Sequence, residues 1–285
     1  MVQTNFIIQS SGLPRGYLEL LVRRRYSPNT IKAYTSYFRE FLQYFAGEDL
    51  NAITPHQINQ YMLELIQYRK VSVSQQNQRI NAIKFYYEKV LGRNKAYYQL
   101  SRPRKESRLP TVLTPAEVQT MLSRTANLKH RCILMTIYSG GLRRSELILL
   151  KVEDIDSKRM LIKIRGAKGK KDRYTLLSER LLQELRKYYS AYRPKIWLFE
   201  GQHGNPYSAT SVEKIFRKAA QKACIRKHVT PHSLRHSFAT HLLEQGISLR
   251  YIQELLGHAS TKTTEVYTRV ASNALMKIKN PLDQM

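Results

Sequence analysis

TPHSLRHSFATHLLEQG, residues 230–246, reads as one helix complete with its punctuation. Thr230 can cap it, Pro231 suits the first turn, and Gly246 suits a left-handed stop. His232, Arg235 and His236 then stand three and four residues apart on one face. A zinc site built on His232, His236 and His241 is disfavoured. Arg235 would set a permanent cation beside the metal, and the glutamate of an HExxH helix is missing, so no metal is expected. A cation and an imidazole on one face suit a phosphate better. Each histidine alone is more simply structural; the pair His232–Arg235 is what stands out.

Downstream, a helix follows Ser248, apolar at Leu249, Ile252, Leu255 and Leu256, and stops at Gly257. His258 comes next, where a helix C-terminus favours a protonated imidazole able to donate to an anion. Nine residues on lies Tyr267, in TTEVYTRV, one of 19 tyrosines. A free phenol, with a pKa of about 10, is a poor nucleophile at neutral pH. The cations and imidazoles just upstream could supply the environment it needs.

Upstream, the glycines of GGLRRSEL (140–147) end a helix and let an arginine turn inward, with Glu146 placed to orient it through a fork-type ion pair. Local sequence leaves Arg143 and Arg144 as rivals. Met160–Ile164 and Arg173–Leu177 alternate and flank Gly166-Ala167-Lys168-Gly169, a β-hairpin with Lys168 at its tip and Lys170 and Lys171 as competitors. Thr114-Pro115-Ala116-Glu117 is a capping box opening the C-terminal half, with helices expected near 116–125 and 130–138. Trp197, in IWLF, reads as a core aromatic.

The N-terminal part is helical throughout. Ser27-Pro28 and Thr54-Pro55 open helices carrying Ile31, Tyr34, Phe38, Phe41 and Ile58, Tyr61, Met62, Leu65. With a first helix over Tyr17–Arg25 and another through Ile80, Ile83 and Tyr87 to Gly92, four helices are expected. SRPRKESRLP (101–110) is an extended basic linker. The fold class is therefore mainly α, in two domains, the second mixed by a small antiparallel sheet.

The 285 residues carry 48 Lys and Arg against 21 Asp and Glu, a net charge of +27 that attracts polyanions, nucleic acid foremost. Candidate phosphate contacts are Arg23, Arg24, Arg25, Lys32, Arg79, Lys84, Arg102, Arg104 and Lys105. Cys132 and Cys224 are too few for a disulfide framework or a four-cysteine zinc site, and read as small buried hydrophobes. No apolar run approaches a membrane span and no secretory signal is read, so a cytoplasmic location is expected. No GxxxxGK phosphate loop is present, and no cofactor is expected.

Arg143, Lys168, His232, Arg235, His258 and Tyr267, in this order, resemble the catalytic residues of tyrosine recombinases, and of the Xer-like and mobile-element kinds most closely. The resemblance is dense over 113–270 and looser over 14–92. It selects Arg143 over Arg144 and Lys168 over its neighbours, although GAKGKK spaces its lysines differently from the commoner GKGxK run. It gives His236 no catalytic counterpart. It implies an N-terminal extension (1–13), a four-helix SAM-like core-binding domain (14–100), the linker (101–112), a catalytic domain (113–270) and a tail (271–285) exchanged between protomers. It further implies cleavage and rejoining of double-stranded DNA by a homotetramer through a 3′-phosphotyrosyl link on Tyr267, His232 managing the tyrosine proton. A type IB topoisomerase and a non-enzymatic DNA-binding protein are the competing readings.

Overall fold

Helix starts are where the side-chain chemistry puts them. In the computed structural model, which describes residues 12–94, 100–103, 109–166, 172–258 and 260–268, Thr54 Oγ1 accepts the Gln57 amide at 3.3 Å while Gln57 Oε1 takes the Thr54 N–H at 2.9 Å. Ser72/Gln75 and Thr114/Glu117 repeat this reciprocal cap, and Ser27 Oγ accepts from Thr30. The described residues fall into two units, 12–103 and 109–268.

The first unit holds α1 (Tyr17–Arg23), α2 (Pro28–Tyr44), α3 (Pro55–Gln67) and α4 (Val73–Lys84), the last continued by a π-helical segment, Phe85–Val90. Its core is aromatic. Tyr17 stacks on Phe38 with centroids 4.5 Å apart, meets Phe85 edge-on at 5.3 Å, and donates its hydroxyl to the Ala82 carbonyl at 3.1 Å. The start of the expected linker is tied down: Asn59 Oδ1 accepts the Ser101 amide, and Arg102 donates to Asn77 and Asn81.

The second unit runs α5 (Pro115–Ser123), α6 (Leu128–Gly140), α7 (Arg144–Ile148), β1 (Ile155–Asp156), β2 (Leu161–Ile164), β3 (Arg173–Leu176), α8 (Glu179–Tyr192), α9 (Ala209–Lys222), α10 (Pro231–Glu244) and α11 (Leu249–Leu256), then 3₁₀ turns at Thr261–Thr263 and Glu265–Tyr267. The hairpin is present, with β1 added to make a three-stranded antiparallel sheet ordered β1-β2-β3. Its register pairs Ile162 with Thr175 and Ile164 with Arg173. Helix α6 is buried nearly all round, through Cys132, Ile133, Leu134, Met135 and Ile137, and packs against α8 and α10. Each such aliphatic side chain contributes on the order of 1.5–3 kcal/mol. Thr175 Oγ1 donates to the Gly140 carbonyl at 2.8 Å, bracing the end of α6 against the sheet. No helix among the described residues is long and apolar enough to cross a membrane.

Three expectations need correction. Cys132 is buried, its thiol pushed up to about 12 by desolvation, but Cys224 is exposed, in the left-handed region after α9 (φ +56°). Trp197 is only half-buried; Leu198 and Phe199 take the core positions beside it. Arg79 is no surface cation: it is 6% exposed, paired with Glu40 at 2.8 Å and stacked over the Tyr37 ring.

Candidate active site

The chain ends α6 at Gly141, in the left-handed region (φ +59°), where a Cβ would lie 2.4 Å from Phe238 Cδ1. The tight turn brings Arg143 to the start of α7. Its amide donates to Glu146 Oε2 and its Nη1 to Oε1, each at 2.8 Å. Arg144 is exposed and paired with Glu213, so Arg143 is the inward arginine. The fork expected of Arg143 is made instead by Arg173, at the start of β3, with Nη1–Oε1 at 2.8 Å and Nη2–Oε2 at 2.9 Å. Fully buried Arg235 adds a third guanidinium, 3.7 Å from Oε2. Burial opposes ionisation of Glu146, but the Arg173 fork and the Arg143 bonds outweigh it and hold the carboxyl at about 2.

The C-terminus of α11 organises the same three arginines. The carbonyls of Leu255, Leu256 and Gly257 accept from Arg173 Nε (2.8 Å), Arg235 Nη2 (2.7 Å) and Arg143 Nη2 (3.3 Å). A helix end leaves such carbonyls without intrahelical partners and carries partial negative charge, so it suits cations. Arg235 Nη1 donates to the Gly141 carbonyl at the end of α6. Desolvation first, then Arg143, lowers Arg235 to about 9, which leaves it charged at neutral pH. Among the described residues its buried Nε has no acceptor.

His258 departs from the expectation of a protonated ring. The arginines already occupy the negative helix end, and His258 Nε2 lies 3.0 Å from Arg235 Nη2, a donor, so this nitrogen is the acceptor. Its Nδ1 then donates to Thr264 Oγ1 at 2.9 Å. Burial, followed by Arg235, Arg143 and Arg173, pushes His258 down to about 3.

Tyr267 is 1% exposed, in a small apolar cluster with Phe238, Ala239, Ile252 and Leu256. Its ring lies parallel to His258, with centroids 6.4 Å apart. Burial raises its pKa while Arg235 and Arg143 pull it down. Among the described residues the hydroxyl's hydrogen-bond partner is His236, Nδ1 to OH at 3.2 Å. His232 stands exposed at the rim, its ring edge-on to His236 at 4.4 Å. Crowding by protein on its inner side, then Arg235 and Arg143, lowers its pKa.

Arg143, His232, Arg235, His258 and Tyr267 thus converge on one pocket. Lys168, Arg104 and Lys105 lie outside the described residues. Arg23, Arg24, Arg25 and Lys32 are exposed, whereas half-buried Lys84 pairs with Glu88. Reasoning from sequence missed Arg173 and the contact of His236. Arg173 carried a signal, since strand alternation sets it in phase with fully buried Thr175. His236 carried none, because its partner arrives from 31 residues away.

Comparison with known proteins agrees with this geometry. Residues 111–274 match the phage integrase family, and residues 16–96 match the phage integrase N-terminal SAM-like domain. An integrase/recombinase of Sinorhizobium fredii is 40% identical over 262 residues, 91% of this chain and 85% of its own. Tyrosine recombinase XerA of Pyrococcus horikoshii is 37% identical, over 91% and 88%. In fold, the chain resembles the XerH site-specific recombinase crystallised with a palindromic difH substrate as a post-cleavage complex (TM-score 0.73, 22% identity, 91% and 82% coverage). The chain belongs to the phage integrase family and is a tyrosine-type site-specific recombinase.

Proposed function

We propose that Tyr267 is the nucleophile of DNA strand exchange. The observation that carries this reading is a nearly inaccessible tyrosine in a pocket with two arginines pre-positioned by helix-end carbonyls and one carboxylate. Tyr267 attacks the scissile phosphate and expels the 5′-hydroxyl, leaving a 3′-phosphotyrosyl link. Arg143 and Arg235 hold the non-bridging oxygens and stabilise the developing charge. His258, neutral before DNA arrives, turns its Nδ1–H or a captured proton to the phosphate. Lys168 protonates the leaving oxygen. One phosphodiester replaces another, so no nucleotide hydrolysis is needed, and the guanidinium groups supply the electrostatic role a divalent cation would otherwise take.

The substrate is double-stranded DNA. The exposed cations Arg23, Arg24, Arg25 and Lys32, with Arg104 and Lys105 of the linker, are proposed phosphate contacts, and the protein acts as a homotetramer on DNA in the cytoplasm. The domain limits 14–100 and 113–270 fit the two units, and residues 271–285 are the proposed inter-protomer tail. The test is covalent trapping. A pool of nicked duplexes with a randomised core is incubated with the protein, denaturation-resistant adducts are enriched, and the selected duplex is retested. Wild type should yield an adduct and Tyr267→Phe none, with duplex binding retained. An adduct with the phenylalanine variant would remove Tyr267 from the mechanism.

A further inference from the structure

The imidazole that touches the nucleophile is not the one the family pattern points to. The resemblance assigns the tyrosine proton to His232, which is exposed at the rim and meets the tyrosine only by way of the His236 ring. His236 Nδ1 lies 3.2 Å from the Tyr267 hydroxyl, and the two rings sit 5.6 Å apart, tilted at 56°. We infer that His236 is a further catalytic residue, accepting the hydrogen bond of the Tyr267 hydroxyl and taking up its proton as the tyrosine attacks. This rests on the assignment of Tyr267 as the nucleophile.

The chemistry requires Nδ1 to be unprotonated at rest. Burial first, then His232 and Arg235, holds His236 at about 4, so the ring is neutral at working pH, and its Nε2–H tautomer leaves the Nδ1 lone pair to face the hydroxyl. A bound phosphodiester brings a negative charge to Arg143 and Arg235, which offsets the positive field opposing an imidazolium. As the tyrosine O–P bond forms, the hydroxyl proton passes to Nδ1. The P–O5′ bond breaks, and the leaving oxygen takes a proton from a separate acid, for which Lys168 is proposed. On rejoining, the 5′-hydroxyl attacks phosphorus and gives its proton back to the group that supplied it, for which Lys168 is proposed, while the O–P bond to tyrosine breaks and His236 returns its proton to the phenolate. No proton need enter from solvent on the tyrosine side.

Position along the helix supports the division of labour. His232 and His236 are one turn apart on α10, and Arg235 lies between them. Arg235 is committed to the Gly141 and Leu256 carbonyls, so it cannot swing to the hydroxyl without abandoning its seat. His236 is the side chain already at the reacting oxygen.

The experiment measures single-turnover adduct formation on the selected duplex by His236→Ala, His236→Asn, His236→Gln and His232→Ala. Gel-shift affinity and thermal unfolding are followed alongside. General acid–base groups contribute roughly 10²–10⁴-fold, so His236→Ala should lose about 100-fold in rate with affinity within about twofold of wild type. Asparagine places a carbonyl oxygen near Nδ1 and can hold the hydroxyl but not take its proton; glutamine places one nearer Nε2. The order should therefore be wild type above Asn by about tenfold or more, and Asn above Gln. If the alanine protein unfolds, this Asn–Gln order decides. The inference is overturned if His236→Ala, folded and binding, cleaves within about threefold of wild type. A faster variant overturns it too, because the contact would then be a resting latch. Gln equal to or above Asn, or Asn equal to wild type, does the same. Failure of the Tyr267 assignment shows separately, as an adduct with Tyr267→Phe.

Discussion

Replacing Glu146 by glutamine should destabilise the second unit by about 3 kcal/mol while keeping the number of heavy atoms at the site unchanged. Among the described residues Glu146 is the one carboxylate within reach of Arg143, Arg173 and Arg235, at 2.8, 2.8 and 3.7 Å, with its side chain 7% exposed. Its carboxyl falls from an ordinary 4.5 to about 2, and a shift of that size corresponds to roughly 3 kcal/mol of stability at neutral pH. Breaking a buried ion pair by removing one partner costs about 3–5 kcal/mol, which agrees. Because the folded pKa is depressed, this stability is present above pH 4.5 and is lost as pH falls toward 2. Urea unfolding followed by the fluorescence of Trp197, the single tryptophan, reports on the unit that contains Glu146. The midpoint should fall in Glu146→Gln with the slope unchanged, and the loss of stability between pH 4.5 and 2 should be smaller in the variant than in wild type by about 3 kcal/mol, the share due to His236 and His258 remaining. A variant within about 1 kcal/mol of wild type would refute the claim that one carboxylate holds the three guanidinium groups.

Other consequences are checked more briefly. His236 and His258 are held at about 4 and 3, below the 6.5 of a free imidazole, so the folded state binds fewer protons than the unfolded one below pH 6.5. Stability should therefore begin to fall near pH 6.5, before Glu146 contributes. An NMR titration of the DNA-free protein should find neither ring titrating between pH 5 and 8. Gly257→Ala should cost about 1–2 kcal/mol and slow cleavage: φ is +61° there, and a Cβ would lie 2.8 Å from the Cδ of Arg173, which Glu146 and Leu255 pin in place. Adduct formation should persist in excess chelator, whereas DNA affinity should fall steeply with salt; loss with chelator and recovery with magnesium would contradict the proposed chemistry. Lys168→Ala should be rescued by a 5′-phosphorothiolate, whose sulfur leaves without a proton, and equal damage on both substrates would point to Lys170 or Lys171.

What was legible in the sequence was whatever depends on short range. Ser27, Thr54 and Thr114 begin helices because a cap and its partner lie within four residues, and Gly257 ends α11 because left-handed backbone is a local demand. The apolar stripes named the core of the first unit and, in α11, a small part of that of the second. The hairpin was readable from its alternation, but β1, two residues long, has no periodicity to read. What failed was whatever depends on which charges meet across the fold. Arg79 looks like any surface cation until α2 brings Glu40 and Tyr37 against it. His258 looks like a protonated helix-end histidine until Arg143 and Arg235 arrive from 115 and 23 positions upstream, Arg173 from the sheet, and fill the negative end of α11 first. The negative end of α11 does attract cations, but three arginines hold it in place of His258.

That substitution explains how the pocket can be both rigid and receptive. Had each of the three arginines its own carboxylate, the pocket would be neutral, and a phosphate would have to displace an anion before binding. Here, among the described residues, three guanidinium groups share Glu146, and their other hydrogen bonds go to carbonyls at Gly141, Leu255, Leu256 and Gly257 and to the neutral His258 ring. Carbonyl dipoles fix direction and satisfy donors without cancelling charge, so the groups are oriented while two of the three positive charges stay uncompensated. Burial first, and the like-charge cluster after it, lowers the pKa values of Arg235, His232, His236 and His258. An incoming phosphodiester relieves that repulsion instead of competing with an existing partner. On the proposed mechanism the same relief makes a proton on His236 less costly at the step where Tyr267 releases one, which would couple phosphate binding to nucleophile activation through the shared field.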